Sequence, residues 1–426
     1  MAITLLLNNA EAVKKKVHNL AEIIDDLGTR LEYLHKLSVE DLIDFFQEVA
    51  LFWLKEKSNS GGIYLKNIEE FLEKENLKRS LGVALRGNIR VLDEFADLGD
   101  PKLLFHAQPR GLSVQWLAGN VPMLGLFSII SALLTKNPCL VKASSTGYAE
   151  LVSMLLAFSK VRTNKVDGTE ILKCISVVLI DHADIENQKI MSLSAGTRIV
   201  WGGREIVELI NELPKQPFCE DVIFGPKYSY ALIDKDSLNN SFVKLASRLA
   251  IDVSVFDQYA CSSPHVVFVE TGGVKTALEF SQELAKQLEI VGRTLLPKDN
   301  IDTGKALEVV DLRSEYSLRG DRVIAPEGTE WTVVCSNQEG LPAGCYSRFI
   351  VVKSIDDFTD LKKFNDRQKQ TLGVALTLEN KRKWLDQLTV KGIDRCPDLG
   401  FATFYESPWD GLFLFDRLIR WVTTYK

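Results

Sequence analysis

Leu112-Ser113-Val114-Gln115-Trp116-Leu117-Ala118, followed at once by Gly119-Asn120-Val121-Pro122, decides the fold. An apolar run cut off by a turn cluster reads as a strand, and the turn marks its end. Beyond it, Leu124, Phe127, Ile130 and Leu134 recur at helical spacing. Asn137-Pro138 then turns the chain into a second strand, Cys139-Leu140-Val141-Lys142, closed by Ala143-Ser144-Ser145-Thr146. A helix from Ala149 to Ser159 and a strand from Cys174 to Ile180 follow. Thr197-Arg198-Ile199-Val200-Trp201 runs into Gly202-Gly203 and a helix from Arg204 to Asn211. This alternation predicts an α/β fold, a parallel sheet covered on both faces by helices.

Doubly wound sheets bind ligands outside the carboxyl ends of their strands. Asn120, Lys142 and Gly202-Gly203 all fall at such ends. No GxGxxG and no Walker lysine motif occurs, so the two usual phosphate cradles are excluded.

Working outward, the second half alternates as well. Strand-like runs are Tyr230 to Ile233, Val266 to Val269, Trp331 to Cys335, Phe349 to Val352 and Leu372 to Leu376, with helical stretches at Leu238 to Ala250 and Thr276 to Ile290. Just ahead of the second run stands Phe256-Asp257-Gln258-Tyr259-Ala260-Cys261-Ser262-Ser263-Pro264. It places a cysteine on a loop at the mouth of a strand. A thiol held there by a rigid element can be aimed at a carbonyl, whereas most free cysteines are small buried hydrophobes. On the amino-terminal side, residues 10 to about 100 are rich in Glu, Lys and Leu. Leu34, Leu37, Leu42, Phe45, Phe46 and Val49 trace a helical face, broken at Ser60-Gly61-Gly62 and ended by Asp100-Pro101. This predicts a helical lead-in packed on a later core.

With 426 residues the chain has room for two or three domains. Net charge is −6, so no overall basic field attracts nucleic acid or an anionic membrane. The amino terminus lacks the basic start and long apolar run of a signal peptide. The longest apolar stretch, Val121 to Leu134, contains Pro122 and Gly125 and is too short for a membrane span. Seven cysteines, an odd number and without a CxxC spacing, argue against a disulfide framework or a zinc knuckle. With five scattered histidines, no metal site is expected, and reduced thiols suit the cytoplasm.

Pro109-Arg110-Gly111, Gly119-Asn120-Val121-Pro122, Asn137-Pro138-Cys139-Leu140-Val141-Lys142 and Trp201-Gly202-Gly203 occur in that order. Phe224-Gly225-Pro226-Lys227, Gln258-Tyr259-Ala260-Cys261-Ser262-Ser263-Pro264 and Pro408-Trp409-Asp410-Gly411 continue the series. Together, from about Gln108 to the carboxyl terminus, they resemble the aldehyde dehydrogenase superfamily. More closely they are similar to its acyl-CoA reductase branch, the fatty-acid reductase of bacterial bioluminescence operons.

The resemblance implies two doubly wound α/β domains: residues 1–100 as the helical lead-in, 101–225 as a Rossmann-like cofactor domain, 226–402 as the catalytic domain, and 403–426 as a returning segment. It makes Cys261 the nucleophile and gives Asn120 the oxyanion-binding role, shared with the Cys261 backbone N–H. Lys142 and Ser145 match positions that contact the adenosine ribose, and Gly202-Gly203 the turn near the pyrophosphate. Serine stands where NAD-preferring relatives often carry a carboxylate, so NADPH is the expected cofactor. The hydrolytic members' glutamate is replaced by Ile223, with Glu220 and Asp221 near enough for a shifted alignment to restore an acid. Loss of that base favours acyl-CoA reduction to aldehyde over hydrolysis. The competing readings are NAD(P)-dependent oxidation of a free aldehyde and a cofactor-free thiol acyltransferase or thioesterase. For the latter, His265 is the one nearby histidine, four residues on and entering a strand. A homo-oligomer is expected, with no nucleic-acid partner, no stable membrane insertion, and an acyl-activating or acyl-transferring enzyme as a conceivable partner.

Overall fold

The structure is a computed structural model that describes residues 3–56, 62–119, 122–298 and 303–426. The chain divides into two units, Met1–Gly225 with Tyr405–Lys426, and Pro226–Phe404.

The first unit is built on a seven-stranded sheet. Its elements are β1 (Ile3–Asn8), β2 (Glu11–Val17), β4 (Ser113–Trp116), β5 (Cys139–Lys142), β6 (Ile175–Leu179), β7 (Thr197–Trp201) and β8 (Glu220–Phe224), while β3 (Leu103–Pro109) lies outside it. The order is β2-β1-β6-β5-β4-β7-β8, parallel from β6 to β8. The chain steps from β4 to β5 and β6 on one side, then returns to place β7 on the other. That reversal opens a crevice between β4 and β7 at their carboxyl ends.

Alternate strand residues feed opposite faces, as a two-residue period requires. Cys139, Val141, Val177, Ile199 and Trp201 join one apolar cluster, and Leu140, Val178 and Val200 join the other. Helix Val39–Glu56 packs on the first face, presenting Leu42, Phe45, Phe46, Val49 and Trp53, all buried. Phe45 and Phe46 meet Phe158 edge-on at 6.0 and 5.7 Å. Each such fully buried side chain stabilises the fold by about 1.5–3 kcal/mol.

The expected helical lead-in needs correcting at its start. Helices occupy Leu20–Lys36, Val39–Glu56, Gly62–Leu72 and Lys74–Ala84, but residues 3–17 form a β-hairpin that extends the sheet beyond β6. Asn9 and Ala10 turn it with φ of 48° and 64°, the left-handed pair that a two-residue hairpin loop uses. The outer strand, Glu-Ala-Val-Lys-Lys-Lys-Val, is almost wholly exposed. Lysine on a sheet edge blocks further pairing, and it also makes the segment look helical in sequence.

The second unit carries a six-stranded sheet of β9 (Tyr228–Ile233), β10 (Pro264–Glu270), β11 (Arg322–Ile324), β12 (Thr332–Cys335), β13 (Phe349–Ile355) and β14 (Lys369–Ala375). The order is β11-β12-β13-β10-β9-β14, parallel apart from β11. Its core includes Tyr230, Leu232, Val266, Phe268, Val351, Leu372 and Val374. Finally, β15 (Ile419–Tyr425) returns to the first unit and pairs antiparallel with β3, from Ile419 opposite Pro109 to Tyr425 opposite Leu103.

Candidate functional site

Four of the residues singled out in sequence, Lys142, Ser145, Gly202 and Gly203, line one cleft of about 560 Å³ in the first unit. Its walls are the chain just past the carboxyl ends of β4, β5, β6 and β7, with Asp181 and His182 beyond β6 and Thr4 from the amino-terminal hairpin. Thr4 was not readable as a neighbour, because nothing local announces the hairpin that brings β1 beside β6, while Asp181 and His182 directly follow the strand read at Cys174 to Ile180.

The cleft has the chemistry of an anion-binding site. Helix Arg204–Glu212 begins at Gly203, which provides no side-chain cap, so the N–H groups of its first turn are left for another acceptor. A Cβ on Gly203 would meet nothing within 4 Å, whereas one on Gly202 would stand 1.9 Å from Ile206 Cγ2. Across the cleft, a Cβ on Gly119 would come within 2.1 Å of Thr146 Oγ1 and 2.5 Å of Ser144 Oγ. The turns after β4 and β5 therefore close on each other only because residue 119 is glycine. Lys142 is half-buried, and burial pulls its ammonium below the ordinary lysine range while Asp181 partly restores it. A lysine whose charge is undercompensated suits an anionic group. Asn120 lies outside the described residues.

The two acids near the missing glutamate are both engaged. Asp221 accepts two hydrogen bonds from Arg198, at 2.6 and 2.7 Å, and one from Lys215 at 2.6 Å. Glu220 pairs with Arg110 and Arg417. Both sit on β8, whose Ile223 is half-buried.

Cys261 belongs to the second unit, in the turn that joins the one-turn helix Val255–Gln258 to β10. It is half-buried, and Ser229 Oγ on β9 donates to its carbonyl at 2.6 Å while accepting from the Thr371 N–H at 3.1 Å. The backbone ahead of it is strained. Phe256, Asp257 and Gln258 have φ of 53°, 48° and 68°. A non-glycine residue in this left-handed region costs about 1–2 kcal/mol. The partner segment Tyr346, Ser347 and Arg348 repeats the pattern at 58°, 56° and 60°. Neither triplet contains glycine, the usual sequence signal for such a backbone.

Burial pushes the other six thiols upward, which suppresses thiolate. Cys139 is raised well above its ordinary value, Cys174 to about 12, Cys345 and Cys396 to about 11, and Cys219 and Cys335 in the same direction. His265 is buried on β10 between the rings of Tyr228 and Tyr346, at 5.1 and 5.3 Å. Burial drives it down to about 4, and its Nδ1 has no hydrogen-bond partner, so it is neutral at pH 7. Among the described residues no cluster of three or more His, Cys, Asp or Glu could hold a metal ion, and no helix is long and apolar enough to cross a membrane.

The two sheets and their connections define the aldehyde dehydrogenase fold. Aldehyde dehydrogenase 21 from Physcomitrella patens superposes with a TM-score of 0.70 at 13% identity, covering 99% of this chain and 95% of that one. A NAD-dependent benzaldehyde dehydrogenase from Corynebacterium glutamicum gives 0.66 at 12% identity, covering 100% and 95%. The chain belongs to the acyl-CoA reductase (LuxC) family, whose model matches residues 34–421. Among curated proteins it is similar to the long-chain acyl-protein thioester reductase of Aliivibrio fischeri, 27% identical over 98% of this chain and 88% of that protein. The Photorhabdus luminescens protein of the same name is 25% identical over 91% and 82%. The chain is thus an oxidoreductase acting at the acyl or aldehyde level.

Proposed function

We propose that this enzyme reduces a fatty acyl thioester, such as acyl-CoA, to the aldehyde with NADPH, through an S-acyl intermediate on Cys261. The observation that carries this reading is the family match over nearly the whole chain, in which Cys261 stands on a strained loop at the mouth of β10.

In this reading the Cys261 thiolate attacks the thioester carbonyl carbon, and the carrier leaves as its thiolate. The oxyanion of each tetrahedral adduct is held by the Cys261 backbone N–H and the Asn120 side-chain amide. Removing one such donor typically costs about 10²–10³ in rate. NADPH, when bound, supplies the hydride that reaches the acyl carbon. The resulting thiohemiacetal on Cys261 collapses, frees the aldehyde and returns the thiolate. Lys142 and Ser145 are assigned to the adenosine ribose and its 2′-phosphate, and Gly202-Gly203 with the following helix start to the pyrophosphate. The first unit is accordingly the cofactor domain and the second the catalytic one. Two features favour reduction over hydrolysis: a leucine-like Ile223 where a general base would stand, and Glu220 and Asp221 committed to arginines. The relatives' names specify an acyl-protein thioester and the family description acyl-CoA, so both carriers belong in the test. We assign the enzyme to the cytoplasm as a homo-oligomer that receives acyl groups from an activating or transferring enzyme.

The test is NADPH consumption with a series of acyl-CoA chain lengths and with an acyl-protein thioester, the aldehyde being trapped and identified. Cys261→Ala should abolish turnover. Acid formed from free aldehyde without a thiol acceptor, or acyl transfer that needs no NADPH, would overturn the assignment in favour of a dehydrogenase or an acyltransferase.

A further inference from the structure

The two left-handed triplets, Phe256 to Gln258 and Tyr346 to Arg348, are joined directly through Asp257 and are braced by neighbouring residues. The Ser347 N–H donates to the Asp257 carbonyl at 2.9 Å. Arg348, whose side chain is 3% exposed, donates through Nε to Asp257 Oδ1 at 2.6 Å and through Nη1 to the Leu296 carbonyl at 2.8 Å. The fully buried Gln258 amide donates to the Phe349 carbonyl at 2.9 Å and accepts the Phe349 N–H at 2.8 Å. The same amide donates to the Pro264 carbonyl at 2.8 Å, closing a ring around Cys261 from three residues before to three residues after. Outside this ring the Tyr259 and Tyr346 rings stack in parallel, centroids 5.1 Å apart and 3° between planes. Lys298 Nζ ties the second triplet down by donating to the Ser347 carbonyl at 3.1 Å.

Strained backbone survives only where its surroundings over-determine it, and such places cluster at functional sites. We propose that the ion pair of the buried Arg348 with the half-buried Asp257 is a positioning device for Cys261. It holds the residues before the nucleophile in their left-handed conformation, so that the thiol and the Cys261 N–H address the acyl carbon and oxygen together. The proposal rests on Cys261 being the nucleophile. In this proposal Arg348 and Asp257 act through the loop. Arginine suits the task because its planar fork engages Asp257 and the Leu296 carbonyl at once, which a lysine ammonium cannot do with the same geometry.

The experiment follows the burst of CoA thiol released when the enzyme is mixed with a long-chain acyl-CoA, without NADPH, alongside steady-state kcat and KM. Arg348→Met and Asp257→Asn should slow the burst by on the order of 10²-fold, the effect of a nucleophile misplaced by about an ångström. KM for acyl-CoA and the affinity for NADPH should stay at wild-type values, and Arg348→Lys should recover part of the lost rate. A purely structural role would instead lower the urea midpoint while leaving the burst of the folded fraction intact. Should Arg348→Met fail to fold, the isosteric Asp257→Asn carries the test. Wild-type bursts in both variants, or a raised KM at unchanged kcat, would overturn the proposal while Cys261→Ala is inactive. A full burst from Cys261→Ala would sink the nucleophile assignment, and this proposal with it.

Discussion

Two buried titratable groups in the second unit should make stability depend on pH in opposite directions. His265 is 6% exposed, lies between Tyr228 and Tyr346, and is held down to about 4 by burial. Asp252 is wholly buried. It accepts the Gly400 N–H at 2.7 Å and the Ala402 N–H at 3.0 Å, yet burial raises it from 3.8 to about 7 against those bonds and the Arg395 and Arg248 charges. In the unfolded chain histidine titrates near 6.5. Between pH 4 and 6.5 the native state therefore binds one proton fewer at His265 than the unfolded chain. Its contribution is complete above 6.5 and is lost as the pH falls toward 4, by up to about 1.4 kcal/mol per unit. Asp252 has the reverse sign. The native state binds one proton more than the unfolded chain, so its contribution is complete below 3.8 and declines as the pH rises through 7, by a similar slope. Across the shared window the two offset each other in the wild type, and each substitution should expose the other. Replacing His265 by Phe should make the protein more stable relative to wild type on acidification, by about 2 kcal/mol between pH 6.5 and 5. Exchange of Asp252 for Asn should do the opposite, its relative stability rising with pH over the same interval. Urea unfolding of the three proteins at pH 5, 6 and 7.5 reads this directly, because contributions from the first unit cancel in the differences. Parallel curves for the variants and the wild type would refute the reasoning.

Lys142→Met should weaken NADPH binding by about 10–100-fold, the worth of a charge-assisted hydrogen bond, with NADH binding much less affected. Ser145→Glu should shift preference toward NADH; unchanged selectivity in fluorescence titrations would remove both residues from the ribose site. Gly202→Ala places a methyl group 1.9 Å from Ile206 Cγ2 and must displace that side chain in the first turn of helix Arg204–Glu212. A rise in KM for NADPH with an unchanged Cys261 burst is expected, and an unaffected KM would count against an anion site there. Arg198→Met removes a nearly fully buried guanidinium that binds Asp221, Ser192 Oγ and the Ile210 and Leu213 carbonyls. It should cost about 3–5 kcal/mol in urea unfolding, since Asp221 keeps only Lys215 and two carbonyls lose a donor.

The parts of this fold that could be read in sequence are those where one physical demand dominates. Strands β5 and β7, parallel and covered on both faces, are built on the apolar runs Cys139-Leu140-Val141 and Ile199-Val200-Trp201, which show in the sequence. Elsewhere two demands compete. Strand β2 must pair along one edge and stay soluble along the other, so its lysines hid a strand behind a helical composition. The hairpin turn uses Asn9-Ala10, without the glycine that would have marked it. Strand β8 opens with Glu220-Asp221 because arginines from β7 and neighbouring segments meet them, and that charge disguised its start. Helix Thr303–Leu318 buries Val309 alone among its side chains, too little to impose an apolar stripe.

The region around Cys261, the proposed nucleophile, shows the same division more sharply. Cys261 and its Gln-Tyr-Ala-Cys-Ser-Ser-Pro setting were visible because loop, thiol and strand are contiguous. What holds that loop was not, since Asp257 and Arg348 lie 91 residues apart and their left-handed backbones carry ordinary side chains. A local pattern can announce a loop thiol, whereas the contacts that brace its loop come from a distant segment. Ser347 and Arg348 in their costly backbone bind Asp257, and Gln258 binds the adjoining Phe349, so each strained segment helps to hold the other. Two strained segments that each justify the other form a unit, and substitutions within it should be non-additive. The double variant Asp257→Asn/Arg348→Met should therefore lose little more acylation rate than either single change.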